Sequence, residues 1–179
     1  MINSKRILFL VDHKHRDLPA FSLIGYHLTQ LGHDVKYCAL WEEDNLIVRF
    51  EPQYIILPKE RYEITRLIKF KLNNLRWITI LNEGNHQDKD HKRLLSVSVD
   101  SLKIVAPDLF TFWNRDDLVR YKKLLSKKTK LELLGYYRTD LFMKPLYDLF
   151  PTRDELLKKY DLPLENKTIT LASSVQESH

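Results

Sequence analysis

Cysteine and glycine are scarce in this sequence of 179 residues, and each scarcity excludes some classes of protein. The single cysteine, Cys38, cannot form an intramolecular disulfide or a metal site made of several cysteines. Cys38 lies in a strand-like run, which favours an inert core thiol over a reactive one. Only four glycines are present, and no G-x-G-x-x-G follows the first apolar run, so a glycine-rich dinucleotide cradle is not expected. Walker A and G-x-S-x-G motifs are also missing.

Long apolar runs are missing as well, and no stretch approaches the length of a membrane-spanning helix. The opening, MINSKRILFLVD, lacks the shape of a signal peptide because Asp12 interrupts its apolar run, and a first β-strand is the better interpretation. We therefore expect a cytoplasmic protein. A basic surface that also carries aromatic side chains permits peripheral contact with the inner face of a membrane.

The charge balance is basic, with a formal net charge of +5 at pH 7. The lysines are spread over several predicted helices, apart from a group at positions 122, 123, 127, 128 and 130. Two interpretations stay open: solvated helix faces, or attraction to anions such as phosphorylated sugars, nucleotides or acidic lipids. No nucleic-acid-binding motif accompanies the charge, so nucleic acid is not an expected partner.

Strand-like apolar runs alternate with segments of helical periodicity through the first 135 residues. Six strands are predicted at residues 6–11, 33–40, 53–57, 76–81, 108–113 and 130–134, and residues 102–105 form a further short candidate. Helices are predicted over residues 18–31, 42–50, 60–73, 88–95 and 115–125, the last capped by Asn114. This alternation predicts an α/β fold with a Rossmann-like, doubly wound, mostly parallel sheet.

Three segments are predicted along the chain. Residues 1–141 form the Rossmann-like domain, and residues 142–166 form a crossing segment that holds a helix. That helix is predicted to run to Tyr160 from a capping box of Thr152 and Glu155. Residues 167–179 contain a fresh strand, which we interpret as the first strand of a truncated second domain.

A dense polar stretch follows the first strand at residues 12–17, where open α/β sheets place their ligand crevice. Asp12 is a candidate general base, and His13, His15, Arg16 and Asp17 are candidate substrate-binding residues, with Arg16 suited to a phosphate or carboxylate. The alternative is a solvated loop in which Asp17 caps the first helix. A metal site on His13 and His15 is not expected, because their i, i+2 spacing lacks a third ligand.

A second polar loop follows the fourth strand at residues 82–88. Glu83 is a candidate catalytic base, and Asn82, Gly84 and Asn85 are candidate substrate-binding residues, because Gly84 lets the backbone approach a ligand closely. The alternative is a surface loop shaped by Gly84 and Asn85.

Two further candidates lie near later strand ends. Trp113 can stack on a sugar ring or a base, although an aromatic residue at this position is more often part of the core. Arg138 can bind phosphate, or pair with Asp140 to fix a hinge, and the structural role is favoured.

Residues 133–140, LLGYYRTD, resemble the G-N-P-R-x-D segment of GT-B glycosyltransferases, with Tyr136-Tyr137 in place of Asn-Pro. The likeness is nearest to bacterial surface-carbohydrate and teichoic-acid-type, CDP-glycerol glycerophosphotransferase-like transferases. The unit from residues 7–11 to 32–35 (GHDV), residues 108–113 with the helix after them, and the sequel TRDELLKKY, a Leu-Pro turn and a strand at 167–172 resemble the same families. By this resemblance the chain is the N-terminal half of such an enzyme.

The resemblance implies that this half binds the acceptor, a cell-surface polysaccharide or lipid-linked glycan, while a second domain holds the nucleotide-sugar donor. Glu83 or a group in residues 12–17 would deprotonate the acceptor hydroxyl. Basic groups and a helix N-terminus of the second domain would meet the leaving phosphate, with no cofactor and no metal required. The 179-residue chain alone is expected to be inactive.

Two alternatives stay open at the level of the sequence. One is a non-catalytic binding or interaction module that keeps a Rossmann-like fold. The other is part of a sugar-nucleotide epimerase on the same two-domain fold.

Overall fold

The computed structural model describes residues 3–59, 63–81, 105–123, 125, 128–165 and 167. Within them the chain forms six strands and five α-helices. The strands are β1 (Arg6–Val11), β2 (Asp34–Ala39), β3 (Tyr54–Leu57), β4 (Arg76–Ile80), β5 (Leu109–Phe112) and β6 (Lys130–Leu133). The helices are α1 (Lys14–Gln30), α2 (Glu43–Phe50), α3 (Ile64–Leu72), α4 (Arg115–Lys122) and α5 (Arg153–Lys159), with two 3-10 helices at Tyr137–Phe142 and Leu146–Leu149.

The six strands form one sheet in the order β2-β1-β3-β4-β5-β6, and every neighbouring pair is parallel. This confirms the predicted α/β, Rossmann-like, doubly wound architecture and its six strands. The chain moves from β1 to β2 on one side, and then returns past β1 to β3 on the other. The direction of winding therefore reverses between β1 and β3, which makes that gap the topological switch point.

Both faces of the sheet are buried, as the continuous apolar sequence of β1 predicts. Leu8 and Leu10 of β1 point into a core with residues of α2 and α3, whereas Ile7 and Phe9 point into a core with residues of α1. A third cluster holds Phe110, Phe112, Tyr121 and their neighbours from β5 and α4. Because α1 covers one face of the sheet and α2 and α3 cover the other, alternate side chains of β1 belong to different cores.

The start of the first helix differs from the prediction. α1 begins at Lys14 rather than at residue 18, so most of the polar stretch at residues 12–17 is a helical first turn and not a loop. The reason is an unusual cap, since the Nδ1 atom of His13 accepts a hydrogen bond from the backbone amide of Arg16 at 3.2 Å. Asp17 is therefore inside the helix, and the alternative in which it acts as the N-cap is wrong.

Two predicted caps are confirmed. The Asn114 side chain accepts a hydrogen bond from the Asp117 amide at 2.9 Å and begins α4. Thr152 and Glu155 form the reciprocal capping box that begins α5. The predicted helix at 88–95, most of the short strand at 102–105 and the body of the strand at 167–172 lie outside the described residues.

The chain separates into two compact units, Met1–Leu141 and Phe142–His179. The first unit holds the whole sheet. In the second, the rings of Phe142 and Phe150 stack with centroids 5.6 Å apart, and the Arg153 guanidinium donates to the Leu164 carbonyl at 3.1 Å. Among the described residues, no helix combines the length and apolar character needed to cross a bilayer.

Candidate functional site at the carboxyl edge of the sheet

The carboxyl ends of β1 and β3 carry the polar groups that lie nearest to the topological switch point. Asp12 follows β1 directly, and Lys59 lies two positions beyond the end of β3. Their side chains meet across the gap, with the Lys59 Nζ atom 3.1 Å from Asp12 Oδ1. Since ligands of open α/β sheets bind in the crevice at this reversal, the Asp12–Lys59 pair marks the candidate site.

Arg16 holds the other oxygen of the same carboxylate. Its Nη2 atom donates to Asp12 Oδ2 at 2.9 Å, and the side chains of Asp12, Arg16 and Lys59 are each about a quarter exposed (26%, 24% and 29%). We call Asp12, Arg16, Asp17 and Lys59 the switch-point cluster. The Asp12 carboxylate lies between the two cations of this cluster, where it is accessible yet partly shielded from water.

Asp17 fixes this arrangement from beneath. Its carboxylate is fully buried, and Oδ2 accepts hydrogen bonds from the backbone amides of Asp12 and His13 at 3.1 and 2.9 Å. Its Oδ1 atom accepts from Arg16 Nε at 2.7 Å. A buried carboxylate that lost these backbone amide and guanidinium partners would be strongly destabilising. Asp17 therefore sets the direction in which Arg16 and Asp12 project.

The electrostatics of Asp12 follow from its two cationic neighbours. Burial by itself would raise the pKa of this carboxyl, but hydrogen bonds and charge interactions with Lys59 and Arg16 lower the pKa below its ordinary value. Asp12 is consequently ionised at neutral pH and accepts hydrogen bonds. A carboxylate with a lowered pKa is a weaker proton acceptor, so this environment suits Asp12 to binding hydroxyl groups better than to general-base catalysis.

The same turn carries two histidines, of which His13 has a structural role. His13 caps α1 through its ring, as described above, and the His15 ring lies 6.1 Å from it, centroid to centroid. Both residues are exposed. Among the described residues, no group of three or more His, Cys, Asp or Glu side chains is placed to hold a metal ion.

A second cluster, formed by Trp41, Glu43 and Arg66, lies at the carboxyl end of β2. Glu43 is fully buried, accepts from the Trp41 backbone amide at 2.8 Å, and forms an ion pair with Arg66. The Arg66 guanidinium carbon lies 4.7 Å from the centroid of the Trp41 ring. We call these residues the Trp41 cluster, and Lys59, whose Nζ atom is 5.9 Å from the same ring, connects it to the switch-point cluster.

A third cluster gathers residues that follow β5 and β6. Trp113 Nε1 donates to the Leu81 carbonyl at 2.6 Å, and its ring lies 3.9 Å from that of Tyr136, centroid to centroid. The Arg138 guanidinium carbon lies 5.5 Å from the Tyr136 ring. Trp113 also packs against the core cluster of β5 and α4. The indole hydrogen bond and this packing give Trp113 a structural role in joining strand ends.

Tyr137 extends this third cluster toward α1. Its ring stacks on Phe21 with centroids 5.8 Å apart and an angle of 15° between planes. Burial, followed by the nearby Asp17 carboxylate, raises the pKa of the Tyr137 hydroxyl, so it is protonated at neutral pH. The segment after β6 is therefore packed against α1, the helix that carries Arg16 and Asp17.

The opposite edge of the sheet also has a concave surface. A cleft of about 370 Å³ lies there, at the amino ends of β1, β3 and β4, lined by residues that include Arg6, Glu51, Gln53 and Arg76. Arg6 Nε donates to the Glu51 carbonyl at 2.7 Å, and the exposed Arg6–Glu51 ion pair spans 3.5 Å. These polar groups tie the incoming chain segments together. The cleft lies away from the switch point, so we place the candidate site at the carboxyl edge.

The predicted site residues fall into three groups. The structure brings Asp12, His13, Arg16 and Asp17 together at the switch point, with His15 exposed beside them, whereas Trp113 and Arg138 flank Tyr136. Glu83, Asn82, Gly84 and Asn85 lie outside the described residues, and their assignment stays a prediction.

Four residues of the two clusters were not predicted: Lys59, Trp41, Glu43 and Arg66. Lys59 had a usable signal, since it directly follows Pro58 at the end of a predicted strand. Trp41 is likewise the first residue after a predicted strand. Arg66 had none, because it lies within a helix and reaches the site only through folding.

Comparisons with known proteins do not assign a family. No protein-family model matches the sequence, and no curated protein is significantly similar to it.

Proposed function

We propose that this chain is the acceptor-binding part of a GT-B-type glycosyltransferase, and that the acceptor lies in the crevice at the switch point. The observation that carries the proposal is the Asp12 carboxylate held between Arg16 and Lys59 at the reversal of the winding. The reading of this site as an acceptor site rests on the resemblance of residues 133–140 and 152–160 to those transferases.

The chemistry of the switch-point cluster fits a sugar that bears an anionic group. An ionised carboxylate accepts hydrogen bonds from hydroxyls, and a guanidinium and an ammonium meet phosphate oxygens or donate to hydroxyls. Because Asp12 already binds both cations, a ligand would exchange some of these contacts for its own. The orientation is set beforehand by the buried Asp17, so little ordering is required on binding.

The proposed reaction divides the roles between Asp12 and Glu83. Asp12 orients the acceptor by accepting a hydrogen bond from one of its hydroxyls. Glu83 accepts the proton of the attacking hydroxyl, whose oxygen forms a bond to the anomeric carbon of the donor. The bond between that carbon and the donor phosphate breaks, and the nucleotide leaves with the electron pair.

The test is a transfer assay on the longest natural form of the chain, with a panel of nucleotide-activated donors and of surface glycans as acceptors. We expect transfer with one donor, a loss of at least about a hundredfold in Glu83→Gln, and a smaller loss in Asp12→Asn. Glu51→Gln, on the opposite edge, is the matched control and should retain full activity. Absence of both transfer and donor hydrolysis with every donor would contradict the proposal.

A second candidate function is a non-catalytic binding module. It rests on the same carboxylate, since the lowered pKa of Asp12 suits it to holding a ligand, a role that Asp12 has in both candidate functions. The same assay separates the two functions, because a module would bind the acceptor and show no turnover that depends on Glu83.

A further inference from the structure

Trp41 occupies a prominent place beside the switch point. β1 and β2 pair in register from Arg6–Asp34 to Val11–Ala39, and the Leu40 amide donates to the Val11 carbonyl at 2.8 Å. Trp41 is the next residue, so it leaves β2 beside the point where Asp12 leaves β1. The residue is 55% exposed, which is unusual for a tryptophan.

The backbone of Trp41 is in a conformation that bulky residues rarely adopt. Its φ angle is +87°, in the left-handed region where glycine is the usual residue. The conformation is held by the hydrogen bond from the Trp41 amide to Glu43, which is buried and paired with Arg66. Strained residues of this kind are concentrated at ligand sites, where surrounding contacts hold them. A glycine at position 41 would relieve the backbone strain. The backbone conformation therefore does not explain why a tryptophan occupies this position.

The ring also shares its neighbours with the switch-point cluster. Lys59 lies 5.9 Å from the Trp41 ring centroid and contacts Asp12 at 3.1 Å, so a single ammonium borders both groups. Arg66, at 4.7 Å, supports the ring from the α3 side through a cation–π contact. An exposed aromatic surface, an ionised carboxylate and cations therefore lie along one edge.

We propose that Trp41 is the stacking platform of the switch-point site, and that it binds the apolar face of a pyranose ring that carries a phosphate. The C–H groups on one face of a pyranose pack on an indole ring and bury apolar surface. The sugar hydroxyls then reach Asp12, and the phosphate reaches Lys59 and Arg16. This inference rests on the proposed function and narrows its acceptor to a ring sugar, as opposed to an open-chain polyol phosphate.

Two phosphate monoesters, a hexose 1-phosphate and glycerol 3-phosphate, test the platform on the full chain by isothermal titration calorimetry. We expect the hexose phosphate to bind about tenfold more tightly than glycerol phosphate. Trp41→Ala should remove that advantage and leave glycerol phosphate within about twofold of its wild-type affinity. Equal affinities of the wild-type chain for the two organic probes, or hexose phosphate binding unchanged in Trp41→Ala, would overturn the proposal.

A matched pair of variants separates a platform from a structural residue. Alanine keeps the unfavourable φ angle, whereas glycine accepts it, so Trp41→Gly should melt at a higher temperature than Trp41→Ala. The glycine variant should stay within about 5 °C of the wild-type Tm and still lose the preference for hexose phosphate. A larger fall in Tm in Trp41→Gly would show that the ring is needed for folding, and would overturn the proposal.

The failure of the platform is distinguishable from the failure of the proposed function. If the longest natural form binds hexose phosphate through Trp41 but shows no transfer, the transferase proposal is contradicted and the platform proposal is supported. Transfer that is undiminished in Trp41→Ala would remove the platform alone.

Discussion

The two edges of the sheet hold their charged groups in different ways. At the carboxyl edge, Asp17 and Glu43 are fully buried; Asp17 accepts from two backbone amides, Glu43 accepts from one, and each carboxylate is paired with an arginine. At the amino edge, Arg6 and Glu51 form an ion pair whose side chains are 45% and 76% exposed. Buried carboxylates fix a geometry at the expense of desolvation, whereas exposed pairs add little to stability. The carboxyl edge is therefore built for precise placement, and the amino edge for closing turns.

Substitution of a buried carboxylate at the carboxyl edge should have the largest effect. Asp17→Asn keeps the shape but brings an amide donor against the donors of Asp12, His13 and Arg16. We expect the free energy of unfolding to fall by about 3 kcal/mol, measured by urea denaturation. Glu51→Gln is the control at the amino edge and should change it by less than about 0.5 kcal/mol. Equal effects of the two substitutions would remove the distinction between the edges.

The pH dependence of stability reports on the Asp12 carboxylate. Because its pKa is lowered in the folded state, its contribution is complete above the ordinary value of 3.8 and is lost as the pH falls through the lower folded value. Asp12→Asn should reduce stability by less than about 1 kcal/mol at neutral pH, since solvent screens the pair. The difference between wild type and variant should shrink below pH 3.8 in urea denaturation. A difference that stays constant down to strong acid would contradict the lowered pKa.

A substitution at the amino edge, where one residue has a positive φ angle, should raise the stability of the protein. Glu51 follows the last residue of α2 with φ at +47°, a position where helices favour glycine. Glu51→Gly should raise the free energy of unfolding by up to about 1 kcal/mol, because the strain is relieved and the lost ion pair is exposed. Glu51→Ala is the matched control and should show no gain. A loss of stability in the glycine variant would mean that the Arg6–Glu51 pair matters more than its exposure indicates.

Cys38 should show no reaction at all in the native protein. Burial, and then the nearby Glu43 and Glu42 carboxylates, raise the pKa of its thiol to about 12, so the thiolate is scarce at neutral pH. A disulfide reagent should label it only after denaturation, with Cys38→Ser as the unlabelled control. Rapid labelling of the folded chain would show that the end of β2 opens readily.

The strands were predictable because buried strands have a recognisable local pattern of apolar residues. β1 reads Arg-Ile-Leu-Phe-Leu-Val, and its four apolar central residues are buried on both faces of a parallel sheet. The caps at Asn114 and Thr152 were predictable for the same reason, since each uses a side chain of the expected type three residues before its partner. The start of α1 was not, because a histidine cap and four polar residues in the first turn resemble a loop.

The site itself depends on contacts that no local pattern contains. Asp12 and Lys59 are 47 positions apart, and they meet only because β3 lies beside β1 in the sheet. The positive φ of Trp41 is equally invisible in the sequence, since it arises from a buried glutamate that is in turn held by α3. Sequence patterns therefore predicted that polar groups follow the strands at the carboxyl edge, and tertiary contacts determine which of their side chains compose the candidate site.

Binding of a ligand at the carboxyl edge of the sheet can be observed by amide NMR titration of the full chain with a hexose 1-phosphate. We expect chemical-shift changes at the amides of Asp12, Arg16, Trp41 and Lys59, and none at the amino-edge amides of Arg6, Gln53 and Arg76. Chemical-shift changes confined to the amino-edge cleft, or no changes at a high concentration of the hexose 1-phosphate, would contradict binding at the carboxyl edge.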